Sequence, residues 1–508
     1  MKLLKTLTLG LLAAALAGTA SATPTIIHVS GSTAFRTGAT IAIMDTLTGT
    51  TAAGGAGSGT IYGACSTSNV SSAGQQIFAN GTIGTGGTAT IIVETAWTGS
   101  LAGVVDLVVQ TSTASFYDET NANVIAAVNA SQINVAGGFL LPASGQSLTV
   151  SGNSHVSSSI EMAMTDSVKT TVGKELSSGA AFATGYTNIG SFTSVSALAT
   201  ACGGSSITDA GTSAFAQGAG VVAIVPFQWV IGNVTGGSSF TDGSSFTIPT
   251  NINQQVAREL ITAGYVPQAL FTGLNTMADT QNFFFFTGRN EDSGTRIGYL
   301  MESQFGVTGN PVQWAIGDGT TTTTGTTLYP ITALNTEPSI VWNKAGHSGY
   351  AGGGNVSTAL KLAENGSVTF ASGQQPSDAT GNCYFISSLG ITDAATTATG
   401  GGHILNYNGV AYSPAAVQNG TYTHWEFEHC YRLAAASTAV KTFVNNVADN
   451  IFATDCDVVY STSTGAYHTE QSDGSYDTSK GLPVGVKYDG FCNVTRSTTE
   501  GGPVSPQY

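Results

Sequence analysis

Apolar runs alternate with short stretches of small polar residues along this 508-residue chain, and three times the pattern predicts a strand, a turn and a helix in succession. Ile26-Ile27-His28-Val29 reads as a buried strand and Ser30 to Thr33 as a turn. Ala34 to Leu47 reads as a helix with Phe35, Ile43, Met44 and Leu47 inward. Ala89 to Thr95 predicts the second strand, Trp97 to Ser100 its turn, and Leu101 to Val109 its helix. The third unit runs from Phe283-Phe284-Phe285-Phe286 through the polar segment Gly288 to Arg296. Its helix would carry Ile297, Leu300, Met301 and Phe305 on one face. Strands alternating with helices predict an α/β fold, with ligands beyond the carboxyl ends of the strands.

Further segments read as scaffold. Gly220 to Pro226 is a short buried strand able to cross between domains. Asn253 caps a helix with Val256, Leu260 and Ile261 inward, ended by Gly264, and Val440, Phe443, Val444, Val447 and Ile451 repeat with helical spacing. Thr48 to Gly59 and Gly317 to Thr327, rich in Gly and Thr, read as surface loops or hairpins.

A turn of small residues between strand and helix is an anion cradle. The first N–H groups of a helix lack intrahelical acceptors and carry about half a positive charge, so an oxyanion can take the acceptors' place. In the third unit Ser293 adds a hydroxyl, Gly294 allows close backbone approach, and Arg289 supplies a planar fork. Each has an ordinary reading too. Ser32 and Ser293 taken singly are helix caps, Arg289 is a surface charge or a partner for Glu291, and Asp166 is a turn residue. His28 reads as a core or edge histidine and Trp97 as packing. In the run His424-Trp425-Glu426-Phe427-Glu428-His429 the polar residues alternate between faces and read as structural rather than as a metal site.

Composition narrows the class. Charged residues make up 9% of the chain, hydrophobic residues at 41% suffice for a core, and the formal net charge of −15 disfavours nucleic acid and anionic membranes as partners. Lys2 and Lys5 precede an apolar core from Leu7 to Ala17, and Ala20-Ser21-Ala22 ends it, so residues 1–22 read as a signal peptide with the mature chain starting at Thr23. No Cys stands directly after that point, and no later apolar stretch is long enough to span a bilayer. A periplasmic or secreted protein, not embedded in the membrane, is expected. Cys65, Cys202, Cys383, Cys430, Cys456 and Cys492 allow one to three disulfides of open connectivity, Cys430 reading as free. No C-x-x-C pair appears, and no metal or cofactor is expected. A G-x-S-x-G elbow is absent, its nearest approach being Gly346-His347-Ser348-Gly349-Tyr350, as is a phosphate loop with its Lys. No catalytic residue and no enzyme activity are expected.

Arg289-Asn290-Glu291-Asp292-Ser293-Gly294-Thr295 resembles the R-x-[DE]-x-S-G-T segment of the periplasmic phosphate-binding proteins that feed phosphate ABC transporters. Gly31-Ser32-Thr33-Ala34-Phe35 resembles that family's first phosphate loop, Gly99 to Gly103 its second Gly/Ser loop, and Met164-Thr165-Asp166 the place of a small residue, Ser and Asp. Tyr412-Ser413-Pro414 through Asn419-Gly420-Thr421-Tyr422 is similar to the stretch before its C-terminal helix. All five stand in family order over most of the mature chain, which outweighs the single-residue readings. The chain is longer than a typical member, with apparent insertions at about 50–90, 105–160 and 190–215, and Arg36 stands where many members carry Pro.

The resemblance implies a two-lobed type II periplasmic-binding-protein fold with mixed sheets in each lobe. Lobe one would be 23–225 completed by 405–508, and lobe two 226–404. It implies inorganic phosphate held by Ser32, Thr33, Ala34, Ser100 and Asp166 from lobe one and Arg289, Ser293, Gly294 and Thr295 from lobe two. An ABC permease is the implied partner, and a monomer is expected. The insertions and the Thr/Gly-rich surface favour one alternative, a surface or adhesive protein that keeps this fold without transport.

Overall fold

Runs of β-branched and aromatic residues, each closed by Gly, Ser or Thr, build the sheet that organises this molecule. The computed structural model describes residues 23–49, 60–66, 74–110, 115–136, 139–142, 155–177, 188–211, 220–234, 239–317, 327–331, 340–341, 349–362, 369–379 and 381–452. It also describes the short strands Val459–Ser461, Ala466–His468, Val494–Arg496 and Val504–Pro506. The leader 1–22, most of the two Gly/Thr-rich loops, Gly346 to Ser348, Cys456 and Cys492 lie outside the described residues.

In chain order the elements that matter here begin with strand Thr25–Gly31 (β1), helix Arg36–Thr48 (α1), strand Ile91–Ala96 (β2), helix Ser100–Val109 (α2) and strand Met162–Thr165 (β3). Strand Val221–Ile231 (β4), helix Gln254–Ala263 (α3), strand Asn282–Phe286 (β5), helix Gly294–Glu302 (α4), strand Asn382–Gly390 (β6), strand Trp425–Leu433 (β7) and helix Thr438–Asn450 (α5) follow. The fold is α/β. Among the described residues it contains a fourteen-stranded mixed sheet whose path of twelve runs Tyr265–Pro267, β5, β6, β4, β7, β3, β1, β2, Gln75–Ala79, Thr60–Cys65, Gln132–Ala136, Phe139–Pro142, with Ile207–Asp209 paired to β7 and His403–Ile404 to β4 beside it. β1 lies parallel to both β2 and β3, β5 parallel to β6, and β7 antiparallel to β3 and β4.

β4 is the hinge of this arrangement in the topological sense. The sequence predicts a strand ending at Pro226, but β4 runs on to Ile231 with every residue buried. Val221 to Pro226 pair with β7, and Phe227 to Ile231 pair with β6, so one continuous strand hands the sheet over from one half to the other. α1 and α5 cover one face of the first half, where Phe35, Ile43, Met44 and Leu47 pack with Phe443, Val444, Val447 and Ile451. In the second half Leu260 and Ile261 of α3 pack with Trp229, Phe284, Phe286 and Leu300. Leu405, Tyr407, Tyr412 and Tyr422 belong to that same cluster.

Local signals placed most boundaries well. The Asn253 side chain accepts the Val256 N–H at 2.9 Å and caps α3, and Gly264 closes it at φ 81°. Three readings change. α4 stops at Glu302 because the chain turns left-handed at Gln304 (φ 59°) and the Gln304 and Gly306 N–H groups close back onto the Met301 and Leu300 carbonyls; Met301 and Phe305 are only partly buried. In the run from His424 to His429, His424, Glu426, Glu428 and His429 are all buried, and β7 lies inside the sheet with β4 on one edge and β3 on the other. Cys202, Cys383 and Cys430 are buried free thiols, so at most one of the expected disulfides can form, and Cys430 is free as the sequence reads. The sequence stretches that lengthen the chain add strands Thr60–Cys65, Gln75–Ala79 and Gln132–Ala136 to the far edge of the sheet. No helix among the described residues is long and apolar enough to cross a membrane.

Candidate functional site

The turns after β1, β2 and β5 meet, together with the end of β3. Gly31, at φ 126°, presses against the Met164 carbonyl where a Cβ would overlap it, and the Ser32 N–H donates to that carbonyl at 2.8 Å. The β1 turn is thereby fastened to the strand that delivers Asp166. Gly99 donates its N–H to the Gly31 carbonyl at 2.9 Å, which ties in the β2 turn.

From the other half of the sheet comes the β5 turn. The Asp292 carbonyl accepts the Leu101 N–H at 3.0 Å and lies so close to Gly99 that no side chain fits there. The Ser100 hydroxyl donates to the Asp166 carboxylate, and the Asp166 N–H donates back to the Ser100 oxygen at 3.3 Å. Both groups abut Gly294, where a Cβ would overlap the carboxylate and crowd the hydroxyl. A glycine is therefore required at the first position of α4.

Arg289 is 1% exposed and its nitrogens are directed. Nε donates to the Tyr350 carbonyl at 3.1 Å, Nη2 to the Ala351 carbonyl at 2.9 Å, and Nη1 to the Thr33 hydroxyl at 3.3 Å. Ser293 caps α4 by accepting the Arg296 N–H at 3.3 Å, which leaves its own O–H to donate elsewhere. The N–H groups of Gly294 and Thr295 have no backbone acceptor among the described residues. These are the orphan donors of a helix start.

Charge in the site is dominated by burial. Asp166 is pushed up to about 6 because it is buried, against the pull of the Ser100 hydroxyl and the Arg289 guanidinium. Asp393 is raised by burial and pulled back by Arg36, Arg289 and Lys361, which places Arg36 among the charges around the site. Asp292 is raised well above the usual carboxylate range by burial and by Glu291 and Asp106.

The structure thus joins Ser100, Asp166 and Gly294 in one contact and Thr33 with Arg289 in another, with Ser293 and Thr295 flanking Gly294. Ser32 turns its oxygen back to accept the Phe35 N–H at 3.2 Å. The Ala34 side chain lies over Gly390 and only its backbone can serve. Sequence reasoning passed over Asp393, took Asp292 only as part of the Arg289 to Thr295 segment, and read Glu428 as structural. Asp393 lies in a segment with no motif, and the signal for Glu428 was the pair Glu426 and Glu428 on one strand. Backbone N–H groups, hydroxyls and one guanidinium around a single acceptor carboxylate can hold a small oxyanion. Among the described residues no group of three or more His, Cys, Asp and Glu is placed to hold a metal ion.

No protein-family profile and no curated protein matches this chain. Among solved structures it is similar to a Clostridium perfringens protein with bound phosphate, provisionally assigned as a phosphate ABC transporter substrate-binding protein. The identity is 10% over 84% of this chain and 96% of that one, with a TM-score of 0.35. It is also similar to an ABC-type phosphate transport receptor from Vibrio cholerae, at 9% identity over 83% of this chain and 93% of that one, with a TM-score of 0.31. At such distances a likeness carries nothing about ligand, and the chemistry has to come from the residues themselves.

Proposed function

We propose that this chain is an extracytoplasmic binding protein of the two-lobed type II kind, which captures one tetrahedral oxyanion, inorganic phosphate first, between its lobes. The observation that carries the reading is the meeting of Ser100, Asp166 and Gly294 beside an Arg289 whose guanidinium reaches Thr33. On this reading lobe one is 23–225 completed by 405–508, and lobe two is 226–404. The N–H groups of Ala34, Gly294 and Thr295, the hydroxyls of Ser32, Thr33, Ser100 and Ser293 and the Arg289 fork are the donors, and Asp166 is the acceptor. The chain works as an exported monomer that binds without turnover and hands its ligand to an ABC permease.

Asp166 gives selectivity. Phosphate at neutral pH still carries a proton and sulfate does not, so a buried carboxylate accepts from the first and is left unpaired and repelled by the second. Calorimetry of the chain from Thr23 onward with phosphate, sulfate and molybdate tests both statements. Tight phosphate binding with weak sulfate binding is expected. Absence of phosphate binding sinks the function, and sulfate competing at comparable concentration removes the role given to Asp166.

A further inference from the structure

Glu428 is a carboxyl that the phosphate reading leaves unused, although it stands against that site. β7 runs antiparallel to β3 with His429 opposite Thr165, so the next rung sets Glu428 opposite Asp166. Its side chain is 0% exposed and lies beside the Ser32 hydroxyl, the Thr165 backbone and the Asp166 carboxylate. From β4 it is faced by Ala223, which is uncharged. On its own strand the same face carries the Cys430 thiol on one side and Glu426 on the other, the latter under α4 with its Cγ 3.2 Å from where a Cβ on Gly298 would be. The guanidinium of the site, Arg289, is directed to Tyr350, Ala351 and Thr33 and acts on Asp166.

Two buried carboxyls side by side against an anion cannot all be charged, so the pair must hold a proton. Asp166 has a hydroxyl donor and an arginine to stabilise its charge. Glu428 is raised by burial and by Asp166, a like charge, and pulled back by the Ser32 hydroxyl and the Thr165 backbone, which leave it still well above the usual carboxylate range. The proton therefore belongs on Glu428. Resting on the phosphate reading above, the geometry points to Glu428 as a specificity-determining residue: a neutral carboxylic acid that donates its O–H to an unprotonated oxygen of the anion, while Asp166 accepts from a protonated one. The site then reads both kinds of oxygen on one ligand, which hydrogen phosphate offers and sulfate does not. Burial and the Asp166 charge raise Glu428 well above the usual carboxylate range, in keeping with this assignment.

Phosphate titrations of the unmutated chain, E428Q and E428A at several pH values between about 6 and 9 test it, with thermal unfolding run alongside. At neutral pH E428Q, whose amide still donates, should bind within about threefold of the unmutated chain, and E428A at least about tenfold more weakly. As pH rises the unmutated chain should lose affinity relative to E428Q, since only the carboxyl loses its donor proton. A purely structural role would leave that ratio constant. Equal binding by all three proteins, or a ratio flat across pH, overturns the inference. If E428A does not fold, the pH dependence of the E428Q ratio decides alone. If the unmutated chain binds no phosphate, the phosphate reading falls and this inference with it.

Discussion

Arg289 is the residue on which the site's charge turns. Two of its three nitrogens are held by backbone carbonyls of Tyr350 and Ala351, so the guanidinium plane is set before any ligand arrives. Replacing it by Ala should cost phosphate affinity about 3 kcal/mol, roughly a hundredfold, as for the loss of one partner of a buried charged contact. Arg289→Lys should fall between, because an ammonium keeps the charge and not the fork. Calorimetry showing unchanged affinity in Arg289→Ala would remove Arg289 from the site. Asp166 brings a pH dependence whose sign is fixed by its role as acceptor. With its value near 6, it is ionised at neutral pH and protonated below that. Preference for phosphate over sulfate should accordingly fade as pH drops through about 6, and Asp166→Asn should show the relaxed preference at every pH. Competition binding at two pH values measures it, and a preference that sharpens in acid would count against the assignment.

Helix starts are the working elements here. α2 and α4 begin against one another, α2 through Ser100 and α4 through Gly294, and both first positions are buried. A backbone this close to the Asp166 carboxylate leaves no volume for even a methyl group. Gly294→Ala should therefore hold the two halves apart, while the core that Ile297 and Leu300 fill begins only further along α4. Overpacking of this kind costs about 1–3 kcal/mol, so phosphate affinity should fall by about tenfold or more while the melting temperature without ligand stays near that of the unmutated chain. Retained affinity in Gly294→Ala would mean the two helix starts do not have to meet for binding.

For the molecule as a whole, closure and proton linkage follow from groups that span the sheet. If the anion is clamped between halves joined through β4, saturating phosphate should make the particle more compact in small-angle scattering and raise its melting temperature. An unchanged radius would argue against closure. Arg296 of α4 lies 3.7 Å from Glu175 of helix Lys169–Leu176, both fully buried, so a second contact between polar side chains links the same two parts. Burial pushes Glu175 up to about 8, with Arg296 pulling it down and Glu291 and Asp292 adding to the rise. Glu94, buried beside His28, is pushed up to about 9 by burial and by Glu119, Asp118 and Glu161. A raised carboxyl means that the folded chain holds the proton more tightly than the unfolded one. Their contribution is fully present below the ordinary value of 4.5 and is lost as pH climbs through 8 and 9. Melting temperature should decline across that alkaline range, and a flat profile would contradict it.

The sequence by itself determined what local forces determine. Periodicity placed the three strand-turn-helix units, Asn253 and Gly264 bounded α3, and the turns holding Gly31, Gly99 and Gly294 were marked, the last as one where a backbone must pass close to something. Such signals act within a turn or two of helix or along one strand, so they survive without knowledge of the fold. Candidate donors were legible for the same reason, because each sits on one of those turns. What the glycines had to make room for was decided only by tertiary structure: Met164, Asp292 and the Asp166 carboxylate come from other elements. Strand pairing likewise put β7 inside the sheet, with β4 on one edge and β3 on the other. It thereby turned Glu428 from one polar residue in an alternating run into a buried neighbour of Asp166. Register between distant strands is set by the packing of the whole sheet, and no local pattern of apolar and polar positions contains it.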